Sequence, residues 1–280
     1  MSTFARPSSF DQTPDPAPPQ PSARIDRRRL AIITACAGGF LAFLDTTIVN
    51  TAFPSITGSF PDASLSELSW VLDAYFIVLA ALLVPAGGVA DRLGRKRVFL
   101  AGTALLVGAS VLCAAAPSWE FLVGARVLQG IGAAIVVPVS LALILPEFPV
   151  RQRAAAVGTW GASAALAAAG GPALGGVLSE LADWRWVFLV NVPLGLAVWA
   201  MARRSIVESV DEKTTGLPDL AGAACAIGGL GLLALAIVEG GNWGWTSGRI
   251  LGAGALSAIL LVATARRCLS HPRPIVDPDL

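Results

Sequence analysis

Three ionisable residues stand inside otherwise apolar runs: Asp45, Asp73 and Arg126. A charge in hydrocarbon costs ~2.5–3.5 kcal/mol on insertion scales, so such residues usually face a bundle interior or a watery cavity. Asp45 shares its run with Thr46, Thr47 and Asn50, a polar cluster that suits a pathway rather than a lipid face. Arg126, Gln129 and Gly130 fall at i, i+3 and i+4, which places them on one helix face. An opposite charge lowers a carboxyl's proton affinity and burial raises it, so a carboxylate beside an arginine can be tuned to carry a proton. Depth supports a meeting. At ~1.5 Å per residue, Asp45 lies ~22 Å from the start of its run, or ~8 Å from the far edge of a ~30 Å core. Asp73 and Arg126, each six residues past a flanking glutamate, lie ~9 Å below that same edge. The expectation is one site that joins all three.

The elements that must position them are membrane helices. Of the 280 residues, 55% are hydrophobic and 14% charged, and mean hydropathy is +0.69. Soluble domains carry about 25% charged residues, so a water-soluble enzyme is excluded. The formal net charge of +1 gives no attraction to nucleic acid. One histidine rules out HExxH, no metal site is expected, and neither GxSxG nor a Walker A loop occurs. Four cysteines without a CxxC pair read as reduced core residues. Eight apolar segments can be counted: 30–52, 68–90, 98–116, 121–145, 154–179, 186–202, 220–238 and 250–265. Most have the ~20 residues a spanning helix needs, and none alternates as a barrel strand would. The fold class is therefore an all-α membrane protein.

Basic residues set the orientation. Seventeen of the 20 fall in the tail or in alternate joints, while Arg185 and Arg249 lie on the other side and Arg126 within a span. That asymmetry puts both termini in the cytoplasm of a multi-pass cell-membrane protein. Six of the eight tryptophans fall at the opposite, outer ends, where interfacial anchors belong. The predicted organisation is a disordered Pro-rich tail (1–29), a six-helix bundle (30–203), a cytoplasmic linker (204–219), two further helices (220–265) and a cytoplasmic end (266–280).

One joint and one span carry more pattern than anchoring needs. GGVADRLGRKRVF puts Asp91 and four basic residues around Gly94, whose freedom at positive φ lets the chain reverse. Plain anchoring would require neither the aspartate nor the glycine spacing. The fifth span is nearly all small residues. Gly171-Pro172 should kink it, and Gly175-Gly176 admits a neighbouring backbone.

Taken in order, LDTTIVNTAFP, GGVADRLGRKRVF, LVGARVLQGIGAA and GGPALGG resemble the four signature motifs of proton-driven drug exporters in the major facilitator superfamily. WRWVFLVNVPLG and EGGNWGW look like its fourteen-span drug:proton antiporter branch. The resemblance implies a six-helix bundle of 3+3 inverted repeats followed by two extra helices. It implies proton coupling at Asp45 and Arg126, and a conformational switch at Gly87, Asp91, Arg92, Gly94, Arg95 and Lys96. It also implies an antiporter motif at Gly158, Gly171, Pro172, Gly175 and Gly176. Val89 and Ala167 depart from the usual leucine and glycine. No cofactor is expected; a proton gradient is the energy source.

Two functions from different classes remain open at this stage. One is export of hydrophobic compounds, cationic ones among them, in exchange for protons, with Asp73, Asn50 and Gln129 as candidate substrate contacts. The expected partners are then a small-molecule substrate, protons and membrane lipid. The other is a truncated, non-transporting membrane fragment, or a half-transporter subunit completed by a second bundle or a homodimer. The family carries substrate between two bundles, and this sequence supplies one.

Overall fold

The computed structural model describes residues 21–209 and 219–270. Among these, eight helices are long and apolar enough to cross a membrane. They are α1 (Pro21–Ser59), α2 (Leu65–Leu93), α3 (Arg95–Ala114), α4 (Trp119–Ile144), α5 (Val150–Leu181), the pair α6 (Trp186–Leu189) and α7 (Asn191–Ser205) that together make one span, α8 (Leu220–Trp243) and α9 (Gly248–Ser270).

Local chemistry sets the boundaries. Ser64 and Glu67 form a reciprocal capping box at the start of α2: the Glu67 amide donates to Ser64 Oγ at 3.3 Å, and the Ser64 amide donates to Glu67 Oε2 at 2.8 Å. Ser118 caps α4 by accepting from the Phe121 amide, and Asp219 caps α8 by accepting from Gly222. Gly94 alone separates α2 from α3, at φ +104°, a conformation that a side chain would strain. All eight expected spans are present, most of them longer than expected. Nearest the N-terminus, α1 starts at Pro21, so residues 21–29 are helical where a disordered tail was expected. Proline is tolerated at the first helical position, and no further proline or glycine precedes the apolar run. Residues 1–20 lie outside the described residues. So do 210–218 of the expected linker, whose first members, Arg204 and Ser205, close α7 instead. The final segment is helical through Ser270, and 271–280 are outside the description.

Helices α1–α7 pack as one bundle: α1 lies along α5, α4 along both α2 and α3, and α7 against α3 and α1. Its interior divides into two apolar layers. Toward the α1–α2 and α3–α4 turns, Ile48, Val49, Val71, Leu122, Trp184 and Phe188 pack together. Toward the α2–α3 turn, Leu41, Tyr75, Phe99, Leu106, Val136 and Val139 do so. Large apolar side chains such as Ile33, Val84, Leu166, Ile237 and Ile259 point outward, as a lipid solvent permits. Helices α8 and α9 form a hairpin that joins the bundle through α2.

Small residues set the closest approaches. Along α5, Ala164, Ala167, Gly171 and Gly175 are its buried stripe. A Cβ on Gly171 would collide with Thr47 of α1, and one on Gly175 with Thr51 and the Ile48 carbonyl. Gly158 and Gly176 have open space around theirs. The antiporter motif thus divides into two glycines that seat α5 on α1 and others that do not. The helix runs unbroken through the exposed Pro172. We expect Gly175→Val to destabilise the bundle by about 1–3 kcal/mol through overpacking, and Gly176→Val to leave it nearly unchanged. Thermal unfolding of the two variants in detergent checks this, and equal losses would contradict the assignment.

Candidate functional site: a buried charge network

Arg126 of α4 and Asp45 of α1 are both fully buried and form an ion pair, Nη1 to Oδ2 at 3.4 Å. The pair does not stand alone. Arg126 Nη1 also donates to Gln129 Oε1 at 2.7 Å, and its Nε donates to the Val71 carbonyl of α2 at 3.0 Å. Asp45 Oδ1 accepts from Gln129 Nε2 and from Asn191 Nδ2, each at 2.6 Å. Gln129 Nε2 also donates to Ser110 Oγ of α3 at 2.8 Å. The guanidinium lies 3.9 Å from the Tyr75 ring centroid, a cation–π contact, and the Tyr75 hydroxyl meets Thr46 Oγ1 at 2.9 Å.

Each partner has a positional reason. Arg126 and Gln129 lie one turn apart on α4, as their spacing required. Gly130, beside them, lets α4 close on α2: a Cβ there would meet the Tyr75 carbonyl at 3.0 Å. Gly132 does the same toward α3, where a Cβ would come within 2.7 Å of the Leu106 amide. Asn191 is the first residue of α7, just past the break at Val190, and its side chain reaches Asp45. Burying a charge pair is costly, and the Coulombic gain repays it only when the remaining donors and acceptors are satisfied. Two are not: Arg126 Nη2 and Asn191 Oδ1 are buried without a hydrogen-bond partner.

The structure brings together two of the three expected residues. Asp73 is half-buried on α2 and makes no ion pair among the described residues. The difference lies in azimuth. Val71 and Tyr75 face Arg126, and Asp73 is two residues from each, ~200° around a helix that turns ~100° per residue. Of the other candidate substrate contacts, Asn50 is exposed on α1, while Gln129 is sealed inside the network as a bridge between Asp45, Arg126 and Ser110.

The α2–α3 turn is a second polar centre. Asp91 pairs with Arg95 at 2.8 Å, and Arg95 Nη1 donates to the Ala142 carbonyl on α4 at 3.2 Å. Glu208, from the segment after α7, accepts from the Lys96 and Arg97 amides at 3.0 and 3.2 Å. A carboxylate on those free amides substitutes for the missing side-chain cap of α3. Lys96 Nζ donates to the Arg203 carbonyl at 2.8 Å, tying the turn to the end of α7. Arg92 is half-buried nearby, and Gly87 has open space around its Cα. Asn191, Tyr75, Ser110 and Glu208 were not anticipated. Asn191 did stand in the WRWVFLVNVPLG segment, an isolated amide at the head of an apolar run.

The described residues thus enclose a buried arginine–carboxylate pair within eight membrane-length helices. Residues 35–220 match the family model of the Major Facilitator Superfamily, and the chain belongs to that superfamily. It is 38% identical over 253 residues to the methylenomycin A resistance protein of Bacillus subtilis, covering 90% of this chain and 54% of that protein. It is also 38% identical to the drug efflux pump JefA of Mycobacterium tuberculosis over 238 residues, 85% of this chain and 46% of the pump. The chain therefore spans about half the length of these relatives. In fold it is similar to a peptide transporter with bound sulfate, at TM-score 0.61 and 17% identity over 88% of this chain and 52% of the transporter. It is likewise similar to an inward-facing bacterial homologue of the lysosomal transporter Spinster, at TM-score 0.57 and 19% identity over 85% and 60% of the two chains.

Removing one partner of a buried pair leaves a charge stranded, a loss of about 3–5 kcal/mol. Arg126→Leu should suffer it, whereas Asp45→Asn with Arg126→Leu should recover a large part, because no carboxylate is then left alone. A double-mutant cycle on unfolding in detergent measures the coupling. Additive losses would show that the two side chains do not depend on each other.

Proposed function

We propose that the chain contributes the N-terminal bundle and the following hairpin of a proton-driven exporter of hydrophobic compounds. The supporting observation is the network around Asp45. Its carboxylate is buried, held by an arginine, a glutamine and an asparagine from α4 and α7, and flanked by unsatisfied donor and acceptor atoms. Such a carboxylate has two stable partnerships: ionised against Arg126, or protonated with Arg126 released. A change between them can follow a proton taken from one side of the membrane and given to the other, as alternating access requires. The drug-resistance and efflux names of the relatives support the substrate class. Export by alternating access needs a second bundle to rock against this one. Asp73 has no part in the Asp45 pathway in this reading.

In everted vesicles carrying the native gene product, Asp45→Asn should reduce proton-gradient-driven drug uptake to background while leaving the amount of inserted protein unchanged. Uptake at the native rate would remove Asp45 from the coupling step.

The orientation proposed is both termini in the cytoplasm, with the α2–α3 turn on the same side. In a background freed of the four native cysteines, Arg97→Cys should react with an impermeant thiol reagent only from the cytoplasmic side. Asp62→Cys, in the exposed α1–α2 turn, should react only from outside. The reverse pattern would invert the molecule.

A further inference from the structure

The ion pair between Arg126 and Asp45 is held open. Its atoms stand 3.4 Å apart, whereas a charge-assisted N–H···O bond closes to about 2.7–2.9 Å. The shorter bonds of both groups go elsewhere. Arg126 donates to Gln129 Oε1 at 2.7 Å and to the Val71 carbonyl at 3.0 Å. Asp45 accepts from two neutral amides, Gln129 and Asn191, at 2.6 Å each.

The remaining neighbours of the guanidinium are aromatic. The Tyr75 ring centroid lies 3.9 Å from Arg126 Cζ and that of Phe188 lies 5.9 Å away. Both fall within the cation–π range of about 6 Å, and both rings are fully buried, where such contacts are strongest. Tyr75 is fixed in turn. Its hydroxyl meets Thr46 Oγ1 at 2.9 Å, and its ring packs edge-on against Phe76 with centroids 5.7 Å apart. Arg126 Nη2 is buried with no hydrogen-bond partner, so the aromatic face is what its charge has in place of a further acceptor.

We propose that Tyr75 is a positioning residue whose ring holds Arg126 off Asp45, so that the carboxylate can take a proton while the guanidinium stays in place. The inference rests on the coupling reading above and deepens it. With Asp45 ionised, ring and carboxylate compete for one cation. With Asp45 protonated, Arg126 keeps the ring, the Val71 carbonyl and Gln129, and needs no new partner in an apolar core. Without the ring the guanidinium closes on Asp45, and a closer cation favours the ionised carboxylate. Among the described residues, other ionisable groups on the surrounding helices are few. Cys113 of α3 donates its thiol to Gln129 Oε1 at 3.4 Å, and Asp73 lies on another face of α2. Glu120 is exposed at the start of α4, Arg185 pairs with Asp183 before α6, and Arg203 and Arg204 close α7.

The test is an infrared pH titration of the purified native protein in lipid nanodiscs, following the carbonyl band of protonated carboxylic acid that Asp45→Asn removes. Tyr75→Leu should move the midpoint of that band down by about one pH unit or more. Tyr75→Phe keeps the ring and should leave the midpoint close to native. Pentafluorophenylalanine at position 75 keeps the ring's shape but not its negative face. It should act as Tyr75→Leu does, and it decides the matter if the leucine variant does not fold. An Asp45 band that none of these changes moves, or equal shifts in Tyr75→Leu and Tyr75→Phe, would overturn the clamp and spare the coupling reading. If Asp45→Asn removes no band at any pH, the coupling reading fails and the clamp with it.

Discussion

The cost of keeping Arg126 and Asp45 away from water governs the arrangement of the bundle. Neither charge is tolerable alone at that depth, and each is tolerated only while its partners come from several helices at once. Asp45 belongs to α1, Arg126 and Gln129 to α4, Ser110 to α3, Val71 and Tyr75 to α2, and Asn191 to α7. Five helices thus converge on one pair of charges. Apolar packing in lipid gives little preference among helix registers, since lipid tails are as apolar as leucine. The polar network supplies that preference, and the glycines at 130 and 132 permit the approach on which it depends.

Helix α4 links this network to the α2–α3 turn. Arg126 lies toward one end of α4 and the Ala142 carbonyl, held by Arg95, toward the other, sixteen residues or ~24 Å away. At the turn, Asp91 orients Arg95, and Glu208 fixes the first amides of α3 to the segment that leaves α7. The two polar centres share α2, α3, α4 and α7. A shift of α4 that releases Arg126 from Asp45 also moves the carbonyl on which Arg95 rests.

The sequence disclosed whatever depends on the axis of a helix and little that depends on its rotation. Eight spans, the reversal at Gly94 and the burial of Asp45 and Arg126 followed from hydropathy, glycine chemistry and the cost of charge. Asp73 was misplaced because depth along a helix says nothing of azimuth, and two residues from Val71 carried it to the opposite face. Gln129 was on the expected face, but a bridging role cannot be told from a solute contact without knowing what stands across from it. Asn191 and Glu208 act over 146 and 112 residues of separation, and no local pattern announces a hydrogen bond of that range. Pro54, Pro85, Pro138 and Pro172 all lie within continuous helices.

The hairpin behaves as a body of its own. At one end, the Arg267 guanidinium grips Asp219 through Nε and Nη2, at 2.9 Å to Oδ2 and 2.6 Å to Oδ1, and in the middle Ser257 Oγ donates to the Gly229 carbonyl at 2.8 Å. These bonds tie α8 to α9 and owe nothing to the bundle. Its attachment to α2 is of a different kind: Gly231 stands beside Ala81, and the rings of Trp70 and Trp243 meet with centroids 6.4 Å apart. In lipid such a seam rests on close packing of small and aromatic residues, since lipid tails compete equally for apolar surface. Helix α2 therefore carries the hairpin on one side and, through Val71 and Tyr75, Arg126 on another.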